Sequence, residues 1–121
     1  MSGYTFEEHD GNKFWRLNGD LHREDGPAVE LSNGDKFWYI KGKLHHEDGP
    51  AVEYFNGSKQ WYINCDLHRE DGPAVEISNG TKRWYIKGVK LTKEEFITKI
   101  KNKKFTAAEI ASLKSYGIEV G

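Results

Sequence analysis

The sequence predicts a mainly β fold, an antiparallel meander of tandem 23-residue β-hairpin repeats with a C-terminal two-helix cap. Two columns and one break predict it. Trp15, Trp38, Trp61 and Trp84 stand 23 residues apart, as do Gly11, Gly34, Gly57 and Gly80. After Leu91 the pattern ends and two helix-start signals follow. The chain therefore divides into a hairpin-repeat sheet of three and a half repeats, residues 1–91, and a helical cap, residues 92–121.

The copies read LHREDGPAVELSNGDKFWYIKGK from Leu21, LHHEDGPAVEYFNGSKQWYINCD from Leu44 and LHREDGPAVEISNGTKRWYIKGV from Leu67. A truncated copy from Tyr4 lacks the LHREDGPA half. Each full copy carries two turn signals. Asn33-Gly34, Asn56-Gly57 and Asn79-Gly80 are the dipeptide of two-residue hairpin loops, where positive φ is needed. Asn18-Gly19, Lys41-Gly42 and Lys87-Gly88 mark the second turn; Asn64-Cys65 lacks the glycine and is expected to be strained. The segments between turns, such as AVEIS and KFWYI, have high strand propensity. About seven or eight strands are expected from this pattern.

Two-residue loops at the Asn-Gly sites set Val29, Val52 and Val75 opposite Trp38, Trp61 and Trp84. The second turns set Trp15, Trp38 and Trp61 opposite His22, His45 and His68. Leu67 and Val75 then fall on conflicting faces, so the alternation must break once per unit. Asp25-Gly26-Pro27, Asp48-Gly49-Pro50 and Asp71-Gly72-Pro73 are the expected bends, because proline cannot donate to the ladder and strand glycine often marks a bulge.

In the cap, Thr92 with Glu95 and Thr106 with Glu109 form capping boxes, predicting helices near 93–103 and 107–116. Phe96, Ile97 and Ile100 make one apolar stripe; Ala107, Ile110, Ala111 and Leu113 make another. Gly117 suits a helix stop. Repeat arrays need such caps, since the last unit has no neighbour to cover it.

Composition narrows the function. The net charge of −1 argues against a dedicated nucleic-acid binder, which needs surplus Lys and Arg to neutralise phosphates. Residues 1–88 hold 11 basic and 15 acidic side chains, and residues 89–121 hold 7 and 4. The basic run Lys99, Lys101, Lys103 and Lys104 reads as a solvated helix face. A single cysteine, Cys65, points to a reducing compartment. MSGYTFEEHDG has no apolar run for a signal peptide, and no stretch approaches a membrane span. A cytoplasmic protein is expected, in the host cytoplasm if the source is viral. Phosphate-binding loops, Cys-x-x-Cys pairs, nucleophile elbows and zinc-type His spacings are absent, so no cofactor or metal is expected.

His22, His45 and His68 recur beside carboxylates, a pattern that suggests general-base chemistry. Equivalent positions in successive two-strand units lie roughly 10 Å apart, too far to share one ion. A structural column is expected instead, each His packed on Trp and bonded within the Asp-Gly-Pro bend. His46, standing where other copies have Arg23 and Arg69, is expected to be exposed. Tryptophan should face the core. Tyr39, Tyr62 and Tyr85, with Arg16, Arg23, Arg69 and, at the edge, Arg83, make the candidate binding face, since Tyr and Arg are enriched in interface hot spots.

The block LHREDGPAVE followed by NGxxxWYIxG, covering about residues 4–91, resembles the MORN repeat, more closely its variant form. It is similar to repeats in proteins of bacteriophages and large DNA viruses. The closing Gly-x-Gly of the standard repeat is missing here, and Pro27, Pro50 and Pro73 are additional. The resemblance implies an elongated sheet acting as an interaction scaffold, with no catalytic residues.

The leading expectation is a non-catalytic binding protein, a phage-type accessory protein engaging a host protein. The alternative is binding and sequestration of a small-molecule nucleotide signal on the Tyr-Arg face. Third stands an enzyme using the repeated His and acid residues.

Overall fold

The computed structural model describes residues 3–120. The first hairpin pairs β1 (Tyr4–His9) with β2 (Asn12–Leu17), and β3 (Asp20–Leu21) folds back on the end of β2. The next unit supplies β4 (Val29–Glu30), β5 (Lys36–Phe37), β6 (Tyr39–Ile40) and β7 (Lys43–Leu44). The third repeats this with β8 (Val52–Glu53), β9 (Lys59–Gln60), β10 (Tyr62–Ile63) and β11 (Asp66–Leu67). Then β12 (Val75–Glu76), β13 (Lys82–Ile86) and β14 (Val89–Leu91) complete the sheet, followed by α1 (Lys93–Ile100) and α2 (Ala107–Ser115). The main sheet runs β1-β2-β4-β5-β8-β9-β12-β13-β14, an antiparallel meander; β6-β7 and β10-β11 are separate hairpins beside it.

Among the described residues fourteen short strands replace the expected seven or eight. The cause lies at the tryptophan. Trp38 N–H donates to Ala51 O (2.7 Å) while Trp38 O accepts from His45 N–H (3.0 Å), so the chain leaves one row of hairpins there and enters the next. Trp61 does the same with Ala74 and His68.

The Asn-Gly loops differ from the expected form. Tyr54 N–H donates to Ser58 O and Gly57 N–H to Tyr54 O, both at 2.9 Å. This is a three-residue loop, a type I turn followed by left-handed Gly57 (φ +93°). Asn56 keeps negative φ and its Oδ1 accepts from Ser58 N–H (2.9 Å); Asn33 and Asn79 act alike on Asp35 and Thr81. One added loop residue shifts the register by one. Val29, Val52 and Val75 therefore face Phe37, Gln60 and Arg83, not the tryptophans. The second turns are two-residue loops as expected, and Cys65 takes φ +70° without a glycine's freedom.

The Asp-Gly-Pro bends occur in every full copy. Their glycines serve space and not positive φ. A Cβ on Gly72 would lie 2.6 Å from Arg69 Cζ, and one on Gly26 would lie 2.7 Å from Arg23 Cζ. The bend closes over the side chain that follows the histidine, and a larger residue there would press on it.

Tryptophan is not the common core residue. Ala28, Ala51, Ala74 and the three valines are buried, whereas among the tryptophans only Trp84 is. Trp84 packs with Phe96, Ile100, Leu113 and Ile118 beneath the cap. Both capping boxes form, and Gly117 (φ +80°) closes α2, with Ile118 N–H on Leu113 O and Gly117 N–H on Lys114 O. Of the stripe Ala107, Ile110, Ala111 and Leu113, only Leu113 is buried, in the cluster with Phe96 and Ile100. Both helices end earlier than predicted, at Ile100 and Ser115.

Candidate functional site

The histidine column lies across the second turn from tryptophan, as the turn count requires. His22, His45 and His68 each donate a backbone N–H to Trp15, Trp38 and Trp61 O, at 2.9 to 3.0 Å. Their rings do not join the Asp-Gly-Pro bend. Instead Nδ1 accepts the N–H of the next unit's turn, from Lys41 (2.9 Å), Asn64 (3.1 Å) and Lys87 (2.9 Å). With Nδ1 accepting, the ring proton sits on Nε2. Nε2 faces Glu24 at 3.5 Å, Glu47 at 3.4 Å and Glu70 at 4.0 Å. The lone pair a general base needs is thus held by a turn amide.

The bend role falls to the next residue. Arg23 lies 3.9 Å over the Trp15 ring and Arg69 3.8 Å over Trp61, each a cation–π lid. Each guanidinium also reaches its own bend. Arg69 donates to Asp71 (2.9 Å), Pro73 O (3.0 Å) and Glu76 (3.2 Å), and Arg23 to Asp25, Pro27 O and Glu30. His46, expected to be exposed, is half-buried and stacks on Trp38 at 3.7 Å, with Nδ1 2.9 Å from Pro50 O. An imidazole reaches only the carbonyl, and neither Asp48 nor Glu53 gains the pairing that arginine gives elsewhere. His46→Arg should therefore stabilise the protein by about 0.5–1 kcal/mol, read as a higher urea midpoint, as for a well-placed partly exposed ion pair.

The histidine column predicts a second measurable effect. His45→Ala removes a ring that bonds the next turn, and should cost about 1–3 kcal/mol in chemical denaturation.

The binding face was expected to include Arg23 and Arg69. Both are engaged over tryptophan, so neither belongs to the Tyr face. Arg16 is paired with Glu7 (3.3 Å), whose carboxyl is held below its ordinary value by His9 first and by Arg16 as well. Arg83 is exposed at the edge, opposite Val75. Tyr39, Tyr62 and Tyr85 are each half-buried and recur at one register. Burial pushes the Tyr39 and Tyr62 phenols up; Cys65 adds to both, and Tyr54, Tyr85 and Tyr39 add to Tyr62. These groups therefore lie close to one another. Exposed Tyr54 extends the group, edge-on to Phe37 at 6.1 Å. Phe37 belongs to this face by strand alternation with Tyr39, whereas Tyr54 was not expected there and is brought onto it by the one-residue register shift.

A cleft of about 800 Å³ separates the second and third bends from the start of α2. Its Asp71 is paired with Arg69, its Glu70 with Lys103 (2.9 Å), and its Glu109 caps α2. Lys103 of the basic run thus has an internal partner. Among the described residues no group of three His, Cys, Asp or Glu is placed to hold a metal ion, and no helix is long and apolar enough to cross a membrane. Comparisons with family models, curated proteins and solved structures return no match.

Proposed function

We propose that this chain is a non-catalytic repeat scaffold that binds a protein partner through the row Tyr39, Tyr62 and Tyr85. The observation that carries the reading is the repetition of a half-buried tyrosine at one register, which the frame leaves partly open to a partner. Such rings offer large contact area at low entropy cost and are frequent hot spots. The occupied Nδ1 atoms of the histidine column support the non-catalytic part. The resemblance to phage repeat proteins makes a host protein the expected partner, met in the host cytoplasm.

The test is direct. Tyr62→Ala combined with Tyr85→Ala should weaken binding by about 2–4 kcal/mol, measured by titration against a partner captured from host lysate. Far-ultraviolet circular dichroism should stay unchanged. Full affinity in the folded double variant would refute the reading. The nucleotide alternative is weakened by the engagement of Arg23 and Arg69 elsewhere. A nucleotide panel should leave the melting temperature unchanged, whereas a true ligand at 100 times its Kd would add about 2.7 kcal/mol.

A further inference from the structure

We infer that the tyrosine row binds a proline-rich segment in the polyproline II conformation, lying across the strands, with an acidic residue at the end that meets Tyr85. The inference rests on the reading of this row as a protein-binding surface and adds the chemistry of the partner.

The row has a fixed interval. Tyr39 lies directly opposite Leu44, and His46 N–H donates to Tyr62 O (3.1 Å) on the next strand. Tyr62 lies opposite Leu67, and Arg69 N–H donates to Tyr85 O (3.2 Å). Each tyrosine is therefore two strand steps from the next, about 9.4–9.8 Å. Directly opposed residues share a face, so the row reads tyrosine, leucine, tyrosine, leucine, tyrosine. Tyr62 Oη donates to Gln60 Oε1 (3.3 Å), which lays this ring back along its own strand and not across the leucines. Leucine is the shorter side chain, so half-buried Leu44 and Leu67 floor two shallow troughs between three rings.

A partner segment must present like side chains at that interval on one side. A polyproline II helix does so, since three residues make one turn and rise about 9.3 Å. An extended strand covers a similar length in three residues, but its side chains alternate and the third points away. An α-helix returns to the same side after seven residues, about 10.5 Å, and overshoots the two intervals by about 1.4–2.2 Å. For polyproline II the mismatch over the same span is about 0.2–1.0 Å. Prolines three apart thus reach both troughs against tyrosine rings. Their conformation is preformed, so little entropy is lost on binding.

Charge sets the polarity. Phe37 and Gln60 stand two positions before Tyr39 and Tyr62, whereas Arg83 stands two before Tyr85. Lys90 lies directly opposite Tyr85. Both cations are exposed, and neither bonds a carboxylate among the described residues. One unit before Tyr39 the position is Arg16, which Glu7 neutralises at 3.3 Å. Positive charge therefore stands uncompensated at the Tyr85 end, where it complements a carboxylate. Tyr85 is one strand step beyond Leu67, about 4.8 Å, or one to two polyproline residues past the second proline.

The intact protein should bind a labelled peptide, Pro-Pro-Ala-Pro-Pro-Ala-Pro-Ala-Glu-Glu, with saturation in fluorescence anisotropy. Tyr62→Ala should raise the dissociation constant about tenfold or more, with circular dichroism unchanged. Arg83→Gln combined with Lys90→Gln should raise it about fivefold, and should leave a peptide ending in Gln-Gln unaffected. Should Tyr62→Ala lose its fold, this exposed pair still decides. An acidic helical peptide of alanine and glutamate should not bind. No saturation by the proline peptide, or equal binding of the helical one, would overturn the inference. So would indifference to Tyr62→Ala in a folded chain, or equal loss of both proline peptides in the charge variant. If the proline peptide fails while a captured partner still loses affinity in the double tyrosine variant, this inference falls and the tyrosine-row reading stands.

Discussion

Phe96→Ala should destabilise the protein by about 3–5 kcal/mol, the cost of emptying a filled aromatic site. Phe96 has no exposed surface, and its ring lies 4.7 Å from that of Trp84. Around them sit Ile100, Leu113 and Ile118, the only cluster of large buried apolar side chains among the described residues. A small domain is typically stable by about 5–15 kcal/mol, so the loss would remove a large share. Urea denaturation followed by tryptophan fluorescence measures it. Ile110→Ala, on the exposed side of α2, should change stability by less than about 0.5 kcal/mol. Equal effects from the two would mean that the cap does not pack as described.

Arg69→Ala should cost about 2–4 kcal/mol, and Arg23→Ala clearly less. Both arginines cover a tryptophan, but their settings differ. The Arg69 side chain is 10% exposed and that of Arg23 24%. Arg69 alone also reaches the cap, donating to Tyr116 Oη (3.3 Å) and Ser112 Oγ (3.2 Å), while Tyr116 Oη donates to Glu76 (3.0 Å). Removing it leaves Asp71 and Glu76 without their cation in a partly dry setting, which is the costly part. The figure sits below that for a fully buried pair because water can still reach both carboxylates. Arg69→Lys should recover little, since an ammonium can neither lie flat on Trp61 nor fork between two carboxylates. Paired unfolding curves of the three variants test the order.

The period, the cap and the second turns were legible because each is a local signal. Asn64-Cys65 and Lys41-Gly42 form two-residue turns, and Thr92-Glu95 and Thr106-Glu109 form capping boxes, from residues adjacent in sequence. The Asn-Gly loops misled because glycine at positive φ serves both a two-residue and a three-residue loop. What separates them is asparagine Oδ1 accepting the N–H two residues on, as Asn33, Asn56 and Asn79 do. That bond keeps asparagine out of the left-handed region and moves valine off tryptophan. The exchange of roles between His45 and His46 was not legible at all. Which ring covers Trp38 depends on how a bend folds back, and which nitrogen meets Asn64 depends on a residue 19 positions away. The candidate face suffered likewise: Arg23 and Arg69 look free in sequence and are held in the fold.

Each join between successive units is made by the same few bonds. Histidine takes the next turn's amide. The residue after it donates N–H to the next tyrosine, as Arg23 does to Tyr39 (3.1 Å) and His46 to Tyr62 (3.1 Å). The leucine carbonyl receives the next turn's second N–H, as Leu21 does from Gly42 (2.8 Å) and Leu44 from Cys65 (2.8 Å). Every full unit therefore presents the same backbone plug on one side and the same backbone socket on the other. Copying one whole unit in the gene would insert a piece whose two ends already fit, lengthening the surface by a fixed step and leaving both termini untouched. A deletion of any other length would put a turn where a bend belongs. Such an architecture permits growth by duplication and resists gradual change in length, so relatives of this chain should differ by whole units.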